Sequence, residues 1–303
     1  MKLLIVGAGK LGRAVSAVLR KNKNLSICFW DKDESKIPGE KPLPENVADS
    51  DIIFLCIPSW SIRPVLSSIV PELPKKTVIV SFAKGVEAES MQTMDEVCAS
   101  VLPDGQSWVV CGGPMIAEEL AAGMPARGIL TCKDKNIFSA IADIFSGTSV
   151  QLEYSDDVRG VAWAGVLKNI YALALGVADG LGWGRNQKSW LVTAVLREML
   201  EIIRIFRGKK ETVLGLAGLG DLIATGFSNY SRNREVGELL ALERPHGLAG
   251  GKNNDLQSEG MAAIGTVIKL FSGDVGHYPI LNGLQKIVSG SGEARQIFRE
   301  MIN

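Results

Sequence analysis

Apolar and polar positions change rhythm partway along this chain. In the first half, short apolar runs at 2–6, 25–30, 52–57, 77–82, 107–111 and 128–132, with a weaker one at 149–152, alternate with amphipathic stretches. Each run has the length of a strand. The stretch after the first run repeats Leu11, Ala14, Val15, Val18 and Leu19 at helical spacing. Strands alternating with helix-like stretches predict βαβ units and a parallel sheet covered on both faces. The segment 33–50, with Pro38, Gly39, Pro42 and Pro44, predicts a loop where a second crossover helix would otherwise stand.

From about Asp156 the strand signals nearly vanish. Helix-compatible stretches follow at 158–181, 189–207, 232–240, 259–271 and 280–289, separated by glycine-rich joints. Residues 246–256, rich in Gly and Asn, predict a mobile loop. The fold class is therefore α/β: a doubly wound Rossmann-like sheet over 1–155, then an all-helical part over 156–303.

Composition narrows the function. The 303 residues are 46% hydrophobic and 22% charged, enough for sizeable cores. Lys plus Arg and Asp plus Glu each number 33, a zero balance that argues against nucleic acid or an anionic membrane as partner. Lys168, Asn169 and Asp179 interrupt the longest apolar stretch, 160–181, so a buried helix is expected there and no membrane insertion. The apolar run after Met1 is too short for a secretory signal core, and the five cysteines form no CxxC pair. A cytoplasmic protein with reduced, buried thiols and no metal site is expected. His246 and His277 both lie among glycines and prolines, which leaves acid–base chemistry to lysines or carboxylates.

Gly7-Ala8-Gly9-Lys10-Leu11-Gly12 is a G-x-G-x-x-G between a strand and a helix. Its glycines permit a tight turn, backbone approach to a pyrophosphate and close helix–strand packing, and the helix N-terminus faces the anion. Asp31 ends the second strand, where a carboxylate accepts from ribose hydroxyls and repels a 2′-phosphate, favouring NAD over NADP. Lys84 follows the fourth run, at a sheet edge where ligands bind or where a lysine is merely solvated. Lys168 sits among Val161, Ala164, Ala172 and Leu175, and either snorkels to water or is held by a charge partner. Gly215–Asp221 is glycine-dense and ends in a carboxylate, either a helix–helix joint or a close-packing segment with Asp221 as cap, with Thr225 four residues on. Ser231 suits an N-cap, which would set Arg232 and Asn233 where a helix N-terminus favours anions; a solvated basic turn is the alternative.

In this order the pieces resemble the NAD(P)-dependent glycerol-3-phosphate dehydrogenases of bacterial type. The matching blocks are GAGKLGRAV (7–15), IPS (57–59), AKGVE (83–87), GP…AEELAAG (113–123), GVAWAGVLKNIYALALGVADGLGWG (160–184), GLAGLGDLIATG (215–226), SRNREVG (231–237) and SEG (258–260). The resemblance implies that Lys168 is the catalytic proton donor and acceptor, with Lys84 beside nicotinamide and substrate. It implies a substrate site of Gly113, Asn169, Asp221, Thr225, Ser231, Arg232 and Asn233 besides the two lysines, the arginine and Asn233 holding the phosphate. It implies cofactor contacts from Gly7, Gly9, Lys10, Leu11, Gly12, Pro58, Lys84, Ala117, Arg232 and Glu259. NAD or NADP as cofactor, dihydroxyacetone phosphate and glycerol 3-phosphate as substrates, a homodimer, and a role in supplying glycerol phosphate for phospholipid synthesis come with it.

Three positions depart from the family pattern. Gly112-Gly113-Pro114-Met115 puts Met115 where a hydroxyl is usual, Trp60 follows Pro58-Ser59 where a polar residue is common, and 33–50 is short. These keep two alternatives open: a dehydrogenase of the same architecture acting on another hydroxy acid or phosphorylated ketone, and a catalytically silent NAD(P)-binding sensor.

Overall fold

The computed structural model describes residues 1–39, 41–242 and 257–302. The apolar runs become strands β1 (Lys2–Val6), β2 (Ser26–Trp30), β3 (Ile52–Leu55), β4 (Val78–Ser81), β5 (Trp108–Gly112), β6 (Ala126–Thr131) and β7 (Val150–Ser155). They form one sheet in the order β2-β1-β3-β4-β5-β6-β7. Helices α1 (Lys10–Leu19), α2 (Leu43–Ala48), α3 (Ile62–Ile69), α4 (Met94–Val101), α5 (Ala117–Ala121) and α6 (Lys135–Ile144) lie between them. Leu3, Ile5, Phe54 and Val80 pack on one face with Val15, Leu19 and Ile141, whereas Leu4, Ile53, Leu55 and Ile79 pack on the other with Val47, Leu66 and Val97. Side chains alternating along each strand thus supply two cores, as a doubly wound sheet requires.

Two expectations need correction. The sheet is not wholly parallel, because β6 runs antiparallel to β5 and β7 runs parallel to β6. Between β5 and β6 the only helix is α5, five residues long, about 7 Å at 1.5 Å per residue and too short to cross the sheet. The 33–50 segment is not all loop either. It holds a 3-10 turn at Glu34–Lys36 and then α2, which buries Leu43 and Val47 and has Pro44 in its first turn, where a missing N–H does no harm.

The helical part begins with α7 (Val158–Gly180) and continues through α8 (Arg185–Ile205), α9 (Lys210–Leu214), a π-helical turn at Leu216–Gly220, and α10 (Asp221–Gly226). It ends with α11 (Arg232–Ala241), α12 (Glu259–Leu270), α13 (Pro279–Val288) and α14 (Ala294–Ile302). Helix α8 starts earlier than its apolar spacing indicates, because its first turn is polar and Gln187 reaches back to accept from the Gly184 N–H at 3.1 Å. The predicted 246–256 loop, with His246, lies outside the described residues. Cys98, Cys111 and Cys132 are buried as expected, but Cys28 and Cys56 are only half-buried.

Helix α7 is the centre of this part. It is long and apolar enough to cross a membrane, yet that whole stretch is buried within the protein. Asp157 caps its N-terminus by accepting from Gly160 N at 3.0 Å and also holds Lys209 N at 2.8 Å. Gly176 and Gly237 allow α11 to pack against it backbone to backbone, since a Cβ on either would fall on a carbonyl oxygen of the other helix. Glu198 of α8 ties a third helix in. Its buried carboxylate accepts from Tyr171 Oη at 2.7 Å and from the Ile280 and Leu281 N–H groups at 2.6 and 3.1 Å, in the first turn of α13.

Glu198→Ala should therefore strand three buried donors and cost about 3 kcal/mol, read as a lower midpoint in urea unfolding. Tyr171→Phe, which removes one donor and leaves the carboxylate capped, should cost about 1 kcal/mol.

Candidate active site

Strand β4 ends at Ser81, and Lys84 emerges three residues later at the carboxyl edge of the sheet. Its Nζ donates to Gly113 O at 2.7 Å and to Asp221 Oδ2 at 2.6 Å. Lys168 reaches the same carboxylate from α7, with Nζ 3.1 Å from Asp221 Oδ1 and 2.8 Å from Thr225 Oγ1. Thr225 Oγ1 in turn donates to Asp221 Oδ1 at 3.1 Å. One buried carboxylate thus bridges two ammoniums. Lys168 is 7% exposed and Asp221 3%, so Lys168 does not snorkel, and Lys84 is not a solvated edge charge. The backbone explains the carboxylate's position: the π-helical turn delivers Asp221 as the first residue of α10, and Thr225 lies one turn on, on the same face.

Burial pushes the Lys168 amine down to about 8, opposed by the Asp221 charge and helped by Lys84. For Asp221, burial favours the neutral acid, but the two ammoniums outweigh it and hold the carboxyl below its usual range. An amine that exchanges its proton near neutrality, beside a fixed counter-charge, is suited to acid–base work.

A chain of amides runs beneath this array. Asn169 Nδ2 donates to Lys84 O at 2.8 Å, Asn233 Nδ2 donates to Asn169 Oδ1 at 2.8 Å, and Gly260 N donates to Asn233 Oδ1 at 2.9 Å. The amide oxygens of both asparagines are thereby engaged within the protein. Each retains one N–H of its two for a ligand.

The glycine-rich loop fits a dinucleotide. Gly7 has φ +105°, a Cβ on Gly12 would fall on the Gly7 carbonyl, and the space a Cβ on Gly9 would take, at the N-cap of α1, is open. Leu11 is in the first turn of α1, and Lys10 points outward to Glu118 at 2.7 Å. Asp31 is buried and committed to the loop: Oδ2 accepts from Ala8 N at 2.8 Å, and Oδ1 from Asp33 N at 3.0 Å and Lys36 Nζ at 3.4 Å. Despite its burial, these donors hold its carboxyl below the usual range. With Lys36 against it, Asp31 is not the bare charge that excludes a 2′-phosphate.

The remaining expected residues surround the same sheet edge or the start of α11. Pro58 precedes a 3-10 turn at Ser59–Ser61, and Ala117 opens α5. Glu259 accepts from Ser59 N and Oγ, a pairing across 200 positions that no local pattern in the sequence signals. Ser231 caps α11 by accepting from Arg234 N at 3.2 Å, while Arg232 is half-buried and pairs with Glu235 at 2.8 Å. Gly112 leaves room for Val161 of α7, and Met115 packs its thioether toward Gly128 with the sheet-face cluster. Trp60 is 42% exposed.

Comparison with known proteins converges. Residues 35–138 match the family described as NAD-dependent glycerol-3-phosphate dehydrogenase N-terminus, and residues 157–299 match its C-terminus. A glycerol-3-phosphate dehydrogenase [NAD(P)+] of Sphingopyxis alaskensis is 32% identical, with all of this chain and 96% of the relative covered. One from Bacillus subtilis is 34% identical over 79% of this chain and 76% of the relative. The crystal structure of glycerol-3-phosphate dehydrogenase from Coxiella burnetii superimposes with a TM-score of 0.86 at 27% identity, covering 100% of this chain and 98% of that one.

Because Asp31 holds Ala8 N and Asp33 N, Asp31→Ala should weaken NADH and NADPH alike, each by about tenfold in a fluorescence titration. A gain confined to NADPH would instead restore Asp31 as a discriminator.

Proposed function

The chain belongs to the NAD-dependent glycerol-3-phosphate dehydrogenase family, and on that footing we propose that it interconverts dihydroxyacetone phosphate and sn-glycerol 3-phosphate, using NAD or NADP. The observation that carries this reading is the buried Lys84–Asp221–Lys168 array, on the same sheet edge as a glycine-rich loop shaped for a dinucleotide. We take residues 1–155 as the dinucleotide-binding domain and 156–303 as the substrate-binding domain. A cytoplasmic homodimer that supplies glycerol phosphate for phospholipid synthesis extends the same reading, and the zero net charge agrees with a small-molecule partner rather than nucleic acid or membrane.

When bound, the nicotinamide ring supplies or accepts the hydride. Gly7, Gly9 and Gly12 with the N-terminus of α1 would hold the pyrophosphate. Protonated Lys168 would stabilise charge developing on the carbonyl oxygen and deliver its proton there; in the reverse direction its neutral amine would take the alcohol proton. Thr225 fixes the amine's direction, and Asp221 keeps both lysines at one point. Asn169 and Asn233 would offer their remaining N–H groups. Arg232, with the N-terminus of α11, would grip the phosphate, so that binding of an unreacting group aligns the carbonyl. The rival substrates drew on Met115. The Met115 thioether packs toward Gly128 of the sheet.

The direct test is oxidation of NADH, and separately NADPH, with dihydroxyacetone phosphate. Turnover is expected, with unphosphorylated dihydroxyacetone inert. Cofactor binding without turnover would move the search to other ketones, and then to the sensor. Lys168→Ala should lower kcat by about 10²–10⁴. Since Lys168 loses its proton near 8, ketone reduction should hold below that pH and fall above it, while alcohol oxidation should rise through the same range. A pH-rate profile in both directions reads this. Arg232→Ala should raise KM for dihydroxyacetone phosphate at least tenfold, about 1.4 kcal/mol of lost phosphate contact.

A further inference from the structure

Ser59 is 3% exposed at the carboxyl edge of the sheet, and both its N–H and its hydroxyl are directed at one carboxylate. The N–H donates to Glu259 Oε1 at 2.8 Å and Oγ donates to Oε2 at 2.6 Å. Glu259 is the first residue of α12, so this clasp joins the sheet to the helical part across 200 positions of sequence. Among the described residues Glu259 has no cation within ion-pair distance, and Lys168 acts on it only from farther away. A buried carboxylate without a cation depends on its hydrogen bonds, and Ser59 provides them.

Gly85 closes the arrangement from a third side. A Cβ at that position would run into the Ser59 hydroxyl and approach Glu259 Oε2 to 2.5 Å. The residue after Lys84 is therefore a glycine seated directly on the clasp. Ser59, Glu259 and the Lys84 loop form a single packed unit that meets α12.

We propose that Ser59 is a positioning residue: through Glu259 it locks the sheet edge against α12, and so sets the affinity of the site for the nicotinamide nucleotide and the alignment of Lys168 for turnover. Its kinetic arm rests on the dehydrogenase reading above, whereas its nucleotide-binding arm needs no substrate.

The test uses the full chain with Ser59→Ala, Glu259→Gln and the double variant. Dissociation constants for NADH and NADPH come from nucleotide fluorescence, and kcat and KM from assays with dihydroxyacetone phosphate. Losing one hydrogen bond to the carboxylate should weaken both nucleotides about tenfold in Ser59→Ala. kcat should fall while KM for dihydroxyacetone phosphate stays within about twofold, because the phosphate grip is untouched. The double variant should be no worse than Glu259→Gln alone, as for residues acting through one contact. Nucleotide affinity within about twofold of the unaltered protein, or losses that multiply in the double variant, would overturn the proposal. If Ser59→Ala does not fold, Glu259→Gln with undiminished nucleotide affinity overturns it equally. If the unaltered enzyme leaves dihydroxyacetone phosphate unreacted, the dehydrogenase reading fails, and the nucleotide titrations still decide the role of Ser59.

Discussion

A helix buried along most of its length must bring its charged and amide side chains to partners, and α7 is organised by that demand. Most of its length is buried, so Lys168, Asn169 and Tyr171, with the half-buried Asp179 near its end, are each met by another element. Lys168 is met by Asp221 and Thr225 of α10, Asn169 by Lys84 and Asn233, Tyr171 by Glu198 of α8, and Asp179 by Lys188 and Arg234. The surrounding helices are therefore fastened to α7 at specific points. Two of those fastenings are also the candidate chemistry, so stability and the site draw on the same polar pairs.

The electrostatics of the site follow from unequal numbers. Two lysines share one aspartate, and the array carries an excess positive charge in a place with little water. An anionic ligand relieves that excess, and so does loss of a proton from Lys168, whose affinity for it is already weakened by burial. The same imbalance thus favours a phosphorylated substrate and a lysine able to give up its proton.

Much of this was legible in the residues. The strand runs, the glycine fingerprint and the change of rhythm near Ser155 are local patterns, carried by neighbours in sequence. Lys168 stood out because a charge in an apolar helix needs an explanation. What could not be read was long-range or directional. Run length does not encode which way a strand points, so the reversal at β6 was hidden. Helices α9 and α10 have five and six residues, too few to show a period. Asp31 has the right chemistry for a ribose, but only the fold shows its carboxylate turned onto Ala8. Ser59 and Glu259 meet from opposite parts of the chain, and neither residue type announces the other.

The reversal at β6 carries one more consequence. It returns the chain toward the base of the sheet, where β7 ends and α7 begins, so α7 must climb past β5 and Lys84 before Lys168 reaches Asp221. At 1.5 Å and 100° per residue, that climb is about 15 Å and nearly three turns. The lysine's arrival opposite Asp221 is thus a matter of phase as well as height. A substitution along the climb would leave the phase intact, whereas inserting or deleting one residue would turn Lys168 by about 100° away from its counter-charge. Between the sheet and the lysine, the number of residues is itself part of the site.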